Sequence, residues 1–151
     1  MSRRIVLSSA AAVIALGGVG AFALAHAEER PPAVENGAAH YTAPEGNRDG
    51  SFAFTADVTA PSGLKELKVL AWPAADPAFA KNGLTAKDMA EVESATCRTA
   101  DDGIARCTYR VTVTAADAAA SGKGTWYVAT LATADDGGTV FDEKTSTFTT
   151  G

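Results

Sequence analysis

Two pairs of neighbouring carboxylates are the residues of this chain that could do chemistry most directly. Asp101 with Asp102, and Asp135 with Asp136, each lie in a Thr-Ala-Asp-Asp-Gly stretch. Carboxylates so placed can bind calcium, act as the acid and base of glycoside hydrolysis, or reverse the chain in a turn. Calcium loops space their acids at alternate positions and add a later glutamate, which neither copy does. The turn is therefore the favoured interpretation of both.

The first copy lies midway between Cys97 and Cys107, the two cysteines of the chain. A hairpin whose loop is Asp101, Asp102 and Gly103 suits a type I turn followed by a residue of positive φ, which glycine adopts. Such a hairpin places the cysteines opposite each other, in a non-hydrogen-bonded pair whose Cα atoms are close. An exported chain meets an oxidising compartment, so we predict a disulfide.

The second copy supports the same interpretation. Asp135, Asp136 and Gly137 separate two long runs of alternating β-formers, 124–134 and 138–149. The repeated stretch is therefore predicted to be the same hairpin turn used twice.

Arg98 and Arg106 lie opposite each other across the predicted disulfide hairpin. Like charges in that position are unfavourable unless neighbouring acids neutralise them. We therefore keep two hypotheses: a neutralised pair, or a small basic spot that binds one carboxylate of a partner.

Nucleophilic catalysis needs a base beside the nucleophile, and the chain downstream of Ala27 holds a single histidine, His40. No G-x-S-x-G elbow occurs, and zinc would need more cysteine or histidine ligands. We expect His40 to lie on the surface of the first strand, and we expect no metal and no cofactor. A hydrolase that uses two carboxylates stays as the alternative function.

Trp72 and Trp126 are the side chains best able to anchor a partner. Trp126 alternates with Val128 and Ala132, so we predict that it lies in the core. Trp72 falls on the opposite face from Leu67 in its own strand, and the sequence leaves its exposure open. If exposed, it is the predicted binding anchor.

The first 27 residues have the features of an export signal. Arg3 and Arg4 precede an apolar run from Ile5 to Leu24, and Ala25-His26-Ala27 fits a signal peptidase site. We predict a signal peptide at 1–27, a polar spacer at 28–37 and a single domain at 38–151. An uncleaved segment that tethers the protein to the membrane is the alternative, and the sequence does not distinguish general secretory from twin-arginine export.

Without the signal the chain is acidic. The chain has 13 Lys and Arg residues, and removal of the signal peptide takes away two of them, Arg3 and Arg4. The remaining 11 basic residues stand against 18 Asp and Glu, which gives a net charge of −7. An acidic domain without clustered bases is a poor partner for nucleic acid and is repelled by anionic lipid. The expected partner is an extracellular protein or a cell-envelope component.

Alternating apolar residues predict strands at 51–59, 63–72, 97–100, 104–113, 124–134 and 138–149. Thr85 with Asp88, and Thr114 with Asp117, have the spacing of capping boxes and predict two short helices, the first running to about Val92. About seven short strands joined by turns indicate a mainly β fold, an antiparallel immunoglobulin-like β-sandwich.

The chain also resembles a family of small secreted actinobacterial proteins of uncharacterised function. The resemblance covers nearly the whole mature chain, in the stretches YTAPEGNRDGSFAFTADV, GLKELKVLAWPA, AEVESATCR, RCTYRVTV and GTWYVATLATADDGGTVF. It implies secretion and a β-sandwich and brings no catalytic residue. Our first hypothesis is a secreted, non-catalytic binding module, such as an inhibitor or a cell-envelope accessory protein.

Overall fold

The computed structural model describes residues 30–100 and 102–151, so the predicted signal peptide and Asp101 lie outside the described residues. Seven strands and two short helices form this part of the chain. The strands are β1 (Ala33–Thr42), β2 (Gly50–Thr59), β3 (Leu64–Pro73), β4 (Thr96–Thr99), β5 (Ile104–Val113), β6 (Gly124–Ala134) and β7 (Thr139–Thr150), and the helices are α1 (Pro77–Asn82) and α2 (Ala115–Ser121). Neither described helix has the length and apolar character that crossing a membrane requires.

All strand pairs are antiparallel, and they form two sheets. One sheet has the order β1-β2-β5-β4 and the other the order β3-β6-β7. The predicted mainly β, antiparallel fold of about seven strands is confirmed.

The main core lies between the two sheets, because alternate residues of each strand point inward. β2 contributes Phe54 and Val58, β3 contributes Leu67 and Val69, and β6 contributes Val128, all buried. Both inner faces are apolar over the middle of their strands, so the sheets pack face to face.

A second, smaller core covers the outer face of the three-stranded sheet. Trp72 and Ala129 lie on that face, and Leu84 and Met89 from the connection between β3 and β4 are buried against them. The connection also contributes Phe79, whose ring meets that of Trp72 edge to face at 5.8 Å between centroids. The long β3–β4 connection is therefore packed structure, and it shields one face of the sheet from water.

The helix predicted from Thr85 to about Val92 is wrong, although its capping contacts form. The Asp88 carboxylate accepts hydrogen bonds from the Thr85 N–H at 2.9 Å and the Thr85 hydroxyl at 2.6 Å. The residues that follow make i→i+3 backbone bonds, such as Asp88 N–H to the Thr85 carbonyl, and form successive turns. Burial of Leu84 and Met89 on the sheet decides this conformation.

The β3–β4 connection does contain a helix, α1, at residues for which no helix was predicted from the sequence. Asp76 caps it by accepting a hydrogen bond from the Ala78 N–H at 2.8 Å, and Pro77 occupies its first turn. Gly83 ends it with φ 70°. An N-cap aspartate, a proline at the first helical position and a glycine past the end are a sequence signal that would have found this helix.

Helix α2 agrees with its prediction. Thr114 and Asp117 form the complete capping box, and Gly122 follows the last turn with φ 73°. The helix runs for seven residues and connects β5 to β6 at one end of the sandwich.

Strand β1 begins at Ala33, inside the segment assigned to the spacer at 28–37. Its register against β2 shifts between Glu35 and Ala38, and Asn36 has φ 54°. This bulge interrupts the alternation by which a strand is recognised in sequence. The sheet therefore starts earlier than the alternation indicates.

Candidate functional site

The disulfide hairpin forms with the register derived from the sequence. Cys97 faces Cys107 and is bonded to it, with Cα atoms 4.0 Å apart, and Arg98 faces Arg106. Gly103 has φ 77°, and its N–H donates to the Ala100 carbonyl at 3.2 Å. These features are those of a three-residue loop that ends in a left-handed glycine.

The second Asp-Asp-Gly stretch makes the same hydrogen bonds. Ala134 N–H donates to the Gly138 carbonyl at 2.8 Å, and Gly137, with φ 88°, donates to the Ala134 carbonyl at 2.9 Å. The Asp136 carboxylate accepts from the Gly138 N–H at 2.8 Å, as Asp102 accepts from the Ile104 N–H at 3.2 Å. Asp102 and Asp136 are thus used in local backbone contacts.

Arg106 is partly neutralised by an aspartate on the neighbouring strand. Its Nε lies 3.2 Å from Asp57 Oδ1, and the Asn36 amide donates to Asp57 Oδ2 at 3.0 Å. These two hydrogen bonds lower the pKa of Asp57 below its ordinary 3.8. The arginine pair lines a groove of about 580 Å³ on the outer face of β4 and β5, and Asp57 also lines this groove. The acid contact supports neutralisation of one member of the pair.

Trp72, the predicted anchor if exposed, is buried. Only 4% of its surface is exposed, and its indole N–H donates to the Glu143 carbonyl at 3.0 Å. The Tyr127 ring packs against it at 5.0 Å between centroids. A side chain in this position has no surface to offer a partner, so we assign Trp72 to the outer core.

Trp126 was predicted to lie in the core, but its side chain is only half-buried. The prediction therefore overestimates how far this side chain is buried. Its ring stacks on Phe148 at 5.9 Å between centroids and forms part of a cleft of about 510 Å³ at the end of the sandwich that carries α2. Trp126 lies near the beginning of β6, two residues before Val128, the first residue of this strand that is buried in the main core. The aromatic residues of the cleft are Tyr41, Phe52, Tyr109, Trp126 and Phe148.

Phe148 is the centre of these rings. Its centroid lies 4.9 Å from that of Phe52 and 5.9 Å from that of Tyr41, in addition to its contact with Trp126. Rings that pack on one another are held in place before a ligand arrives, which lowers the entropy cost of binding. We refer to this region as the aromatic cleft.

The rim of the aromatic cleft is acidic. Glu91, Glu93 and Asp117 line it, and no lysine or arginine of the described residues does. All three acids are exposed. The cleft therefore combines apolar walls with a negative potential at its mouth.

Two of these acids are fixed by hydrogen bonds. Glu93 accepts from the Tyr109 hydroxyl at 3.0 Å, and burial together with this bond raises the pKa of Tyr109 to about 12. The phenol thus remains protonated and holds Glu93 at the rim. The capping hydrogen bonds from the Thr114 hydroxyl and backbone lower the pKa of Asp117, which keeps this carboxylate charged.

This cleft could not be predicted from the spacing of residues in the sequence. Its aromatic residues come from β1, β2, β5, β6 and β7, and each one fits the alternation of an ordinary core strand. His40 lies exposed on β1, as expected, and opposite Ala53 of β2. In residues 30–100 and 102–151, no group of three His, Cys, Asp or Glu side chains could hold a metal ion.

Comparison with known proteins gives one result. Residues 34–132 match the model of a family of unknown function, DUF5707, and the chain belongs to this family. No curated protein and no solved structure matches the chain.

Proposed function

We propose that this protein is a secreted, non-catalytic binding module of immunoglobulin-like architecture, and that the aromatic cleft is its binding site. The single observation that carries the proposal is a preformed cleft of about 510 Å³ with five aromatic residues at the end of the sandwich. Ligand sites are typically concave, apolar and of this size, with a few polar groups for orientation. The partner is an extracellular protein or a cell-envelope component.

The immunoglobulin-like part of the proposal is supported by strand order, since β1-β2-β5-β4 and β3-β6-β7 correspond to the A-B-E-D and C-F-G sheets of constant-type immunoglobulin sandwiches. Immunoglobulin-type sandwiches place loops and strand ends at two poles, where binding sites form on a rigid frame. The disulfide here differs from that of antibody domains, because it joins β4 to β5 within one sheet. It links the two strands near the beginning of β4, the end of that strand closer to the cleft.

The non-catalytic part is supported by how the carboxylates are used. A general acid needs a raised pKa, whereas the two shifted carboxylates of the described residues, Asp57 and Asp117, have lowered ones. At the cleft, Asp117 caps a helix and Glu93 binds a phenol. These two acids thus have structural contacts that account for their positions.

Secretion is supported by the sequence of residues 1–27, and the resemblance to small secreted actinobacterial proteins is part of the same proposal. The test is the intact mass of the exported protein. A chain that begins at Glu28 supports cleavage, and a chain that keeps residues 1–27 replaces free secretion by a membrane tether.

The binding site is tested by affinity capture. The full chain with a C-terminal tag is exported by its producing cell and exposed to culture medium and washed cell-wall material. Trp126→Ala removes a half-buried wall of the cleft, and Tyr127→Ala is the matched control, because the Tyr127 side chain points to the opposite face of β6.

We expect a captured component to be lost with Trp126→Ala and kept with Tyr127→Ala, with both variants shown to be folded by circular dichroism. Capture that survives Trp126→Ala, or that both variants abolish equally, contradicts a binding site in the cleft. Hydrolysis of cell-wall glycan by the protein would contradict the non-catalytic assignment and would make Glu91 and Glu93 the candidate catalytic carboxylates.

A further inference from the structure

We propose that the occupant of the aromatic cleft is an extended, basic segment of a partner protein, which adds as a short strand to the edge of β5 and places a lysine or arginine side chain against the aromatic rings. This inference rests on the proposed function and names the chemistry of its ligand. Three independent features of the described residues support it: an open strand edge, an acidic rim and stacked rings.

The open edge arises because β4 is much shorter than β5. β4 pairs with residues 105–108 of β5 and leaves 109–113 without a described strand on that side. The chain that precedes β4 bonds to the other sheet, where Val69 N–H donates to the Glu93 carbonyl at 3.2 Å and Ala95 N–H to the Leu67 carbonyl at 2.8 Å. The place beside the second half of β5 is thus left to solvent.

The backbone groups on that edge can be identified from the ladder. Ala100 N–H donates to the Ile104 carbonyl, so Ile104 and every second residue after it direct N–H and C=O toward the β4 side. Past Thr96, the first residue of β4, these residues are Arg110 and Thr112, which are exposed and make no hydrogen bond on that side with another described residue. Unpaired strand edges bind extended peptides by main-chain hydrogen bonds.

The side chains beside this edge are apolar. Val111 lies between Arg110 and Thr112, points to the cleft side, and with 38% exposure is the one exposed large hydrophobic side chain of the described residues. A strand added here alternates its own side chains, one toward the cleft and the next toward solvent. Every second residue of the partner segment therefore enters the aromatic cleft.

The charge of the cleft selects the residue that enters. Glu91, Glu93 and Asp117 surround aromatic rings, so a cation gains attraction from the carboxylates and from the ring faces together. An acidic segment would meet repulsion from these three acids and from the net charge of the mature domain. A lysine or arginine with an aliphatic stem fits both the apolar walls and the acidic mouth.

The test is an NMR titration of the isotope-labelled, exported protein. The probe is a capped heptapeptide of alternating valine and arginine, and the control peptide alternates valine and glutamate. We expect saturable shifts of the Arg110 and Thr112 amides and of the Trp126 indole with the arginine peptide, and binding at least about tenfold weaker with the glutamate peptide.

A proline variant tests strand addition. Thr112→Pro removes the N–H that faces the open edge and leaves the bonds to β2 intact, since edge positions tolerate proline. Thr99→Pro is the matched control, because Thr99 is also exposed and its N–H faces away from β5, outside the cleft. We expect Thr112→Pro to weaken the arginine peptide about tenfold and Thr99→Pro to leave it unchanged.

A charge variant tests the rim separately. Glu91→Gln with Glu93→Gln keeps the size of both side chains and an acceptor for the Tyr109 hydroxyl. We expect this double variant to reduce the affinity for the arginine peptide about fivefold and to narrow the difference in affinity between the two peptides, while Asp117 keeps part of it.

The outcomes separate this inference from the proposed function. If the arginine peptide causes no shift while capture still depends on Trp126, the cleft binds another ligand and the basic-strand proposal is overturned. Binding that Thr112→Pro leaves unchanged overturns strand addition, and equal affinity for both peptides overturns charge selection. If capture and peptide binding are both absent, the proposed binding site itself is wrong.

Discussion

The two Asp-Asp-Gly hairpins have the same local sequence and the same turn hydrogen bonds, yet they are held in place by different means. The hairpin between β6 and β7 docks on the turn between β2 and β3, where the Asp135 N–H donates to the Gly63 carbonyl at 2.9 Å. At the hairpin between β4 and β5, the hydrogen bonds of the described loop residues stay within the hairpin, and the fixed part is the disulfide at Cys97 and Cys107.

The difference shows which contacts a short stretch of sequence can specify. Both stretches specify the loop, because an Asx contact and a left-handed glycine depend on neighbouring residues alone. The docking of one tip and the isolation of the other depend on which turn lies beside it. The hairpin whose described loop residues make no tertiary hydrogen bond is the one with a covalent link at its base.

The largest expected effect is removal of that link. Cys97→Ala with Cys107→Ala should lower the free energy of unfolding by about 3 kcal/mol, because the unfolded chain regains the freedom that the disulfide removes. Urea unfolding monitored by tryptophan fluorescence measures the change. Reduction of the unmodified protein should reproduce most of the loss, and reductant should not affect the double variant. Equal stability of the two proteins would show that the hairpin needs no link.

The next largest effect concerns the docking of the second hairpin. A Cβ on Gly63, which has φ 101°, would lie 2.2 Å from Asp135 Oδ2, so Gly63→Ala should cost about 2 kcal/mol from backbone strain and displacement of the hairpin. Gly103→Ala should cost about 1 kcal/mol, since it adds backbone strain without a contact. Thermal unfolding of the two variants side by side measures the difference. Equal losses would mean that docking contributes nothing.

A smaller effect is expected from the Asx contacts inside the loops. Asp136→Ala should cost about 1 kcal/mol, because the Gly138 N–H loses its acceptor. Asp102→Ala should cost less, since its contact with the Ile104 N–H is longer, at 3.2 Å against 2.8 Å. Asp136→Asn is the control, as an asparagine oxygen still accepts the bond. If the alanine and asparagine variants unfold at the same temperature, the Asx contact does not stabilise the turn.

The smallest effect is the pH dependence that Asp57 gives to the disulfide hairpin. The folded pKa of Asp57 is below 3.8, so its contribution is present above the unfolded pKa and is lost as the pH falls through the folded value. Melting temperatures between about pH 6 and about pH 2.5 should therefore fall less steeply for Asp57→Asn than for the unmodified protein. Parallel curves would contradict a role for the contact with Asn36 and Arg106.

Much of the fold follows from the sequence, as particular elements show. The register of Cys97 with Cys107 and of Arg98 with Arg106 follows from the position of one loop, and α2 follows from its capping box. The helix expected after Thr85 does not form, because capping contacts stabilise a turn as well as they start a helix. Burial of Met89 on the sheet then decides between them.

The candidate site was the least predictable part. Trp72 and Trp126 have similar surroundings in sequence, and each lies in a strand that alternates apolar residues. Trp72 is buried because the β3–β4 connection covers the outer face of its sheet. Trp126 lines the aromatic cleft because its strand continues past the end of the main core. Neither circumstance can be read from the strand that carries the tryptophan.

The sequence by itself determined the alternating strands, both hairpin loops and the pairing of the cysteines, because each depends on residues close together along the chain. Only the tertiary structure decided which tryptophan is buried, where β5 is left without a neighbour and which acids surround the aromatic rings. These features depend on the length of β4 relative to β5 and on the path of the connection before it. Contacts between distant segments set them, and no local pattern encodes such contacts.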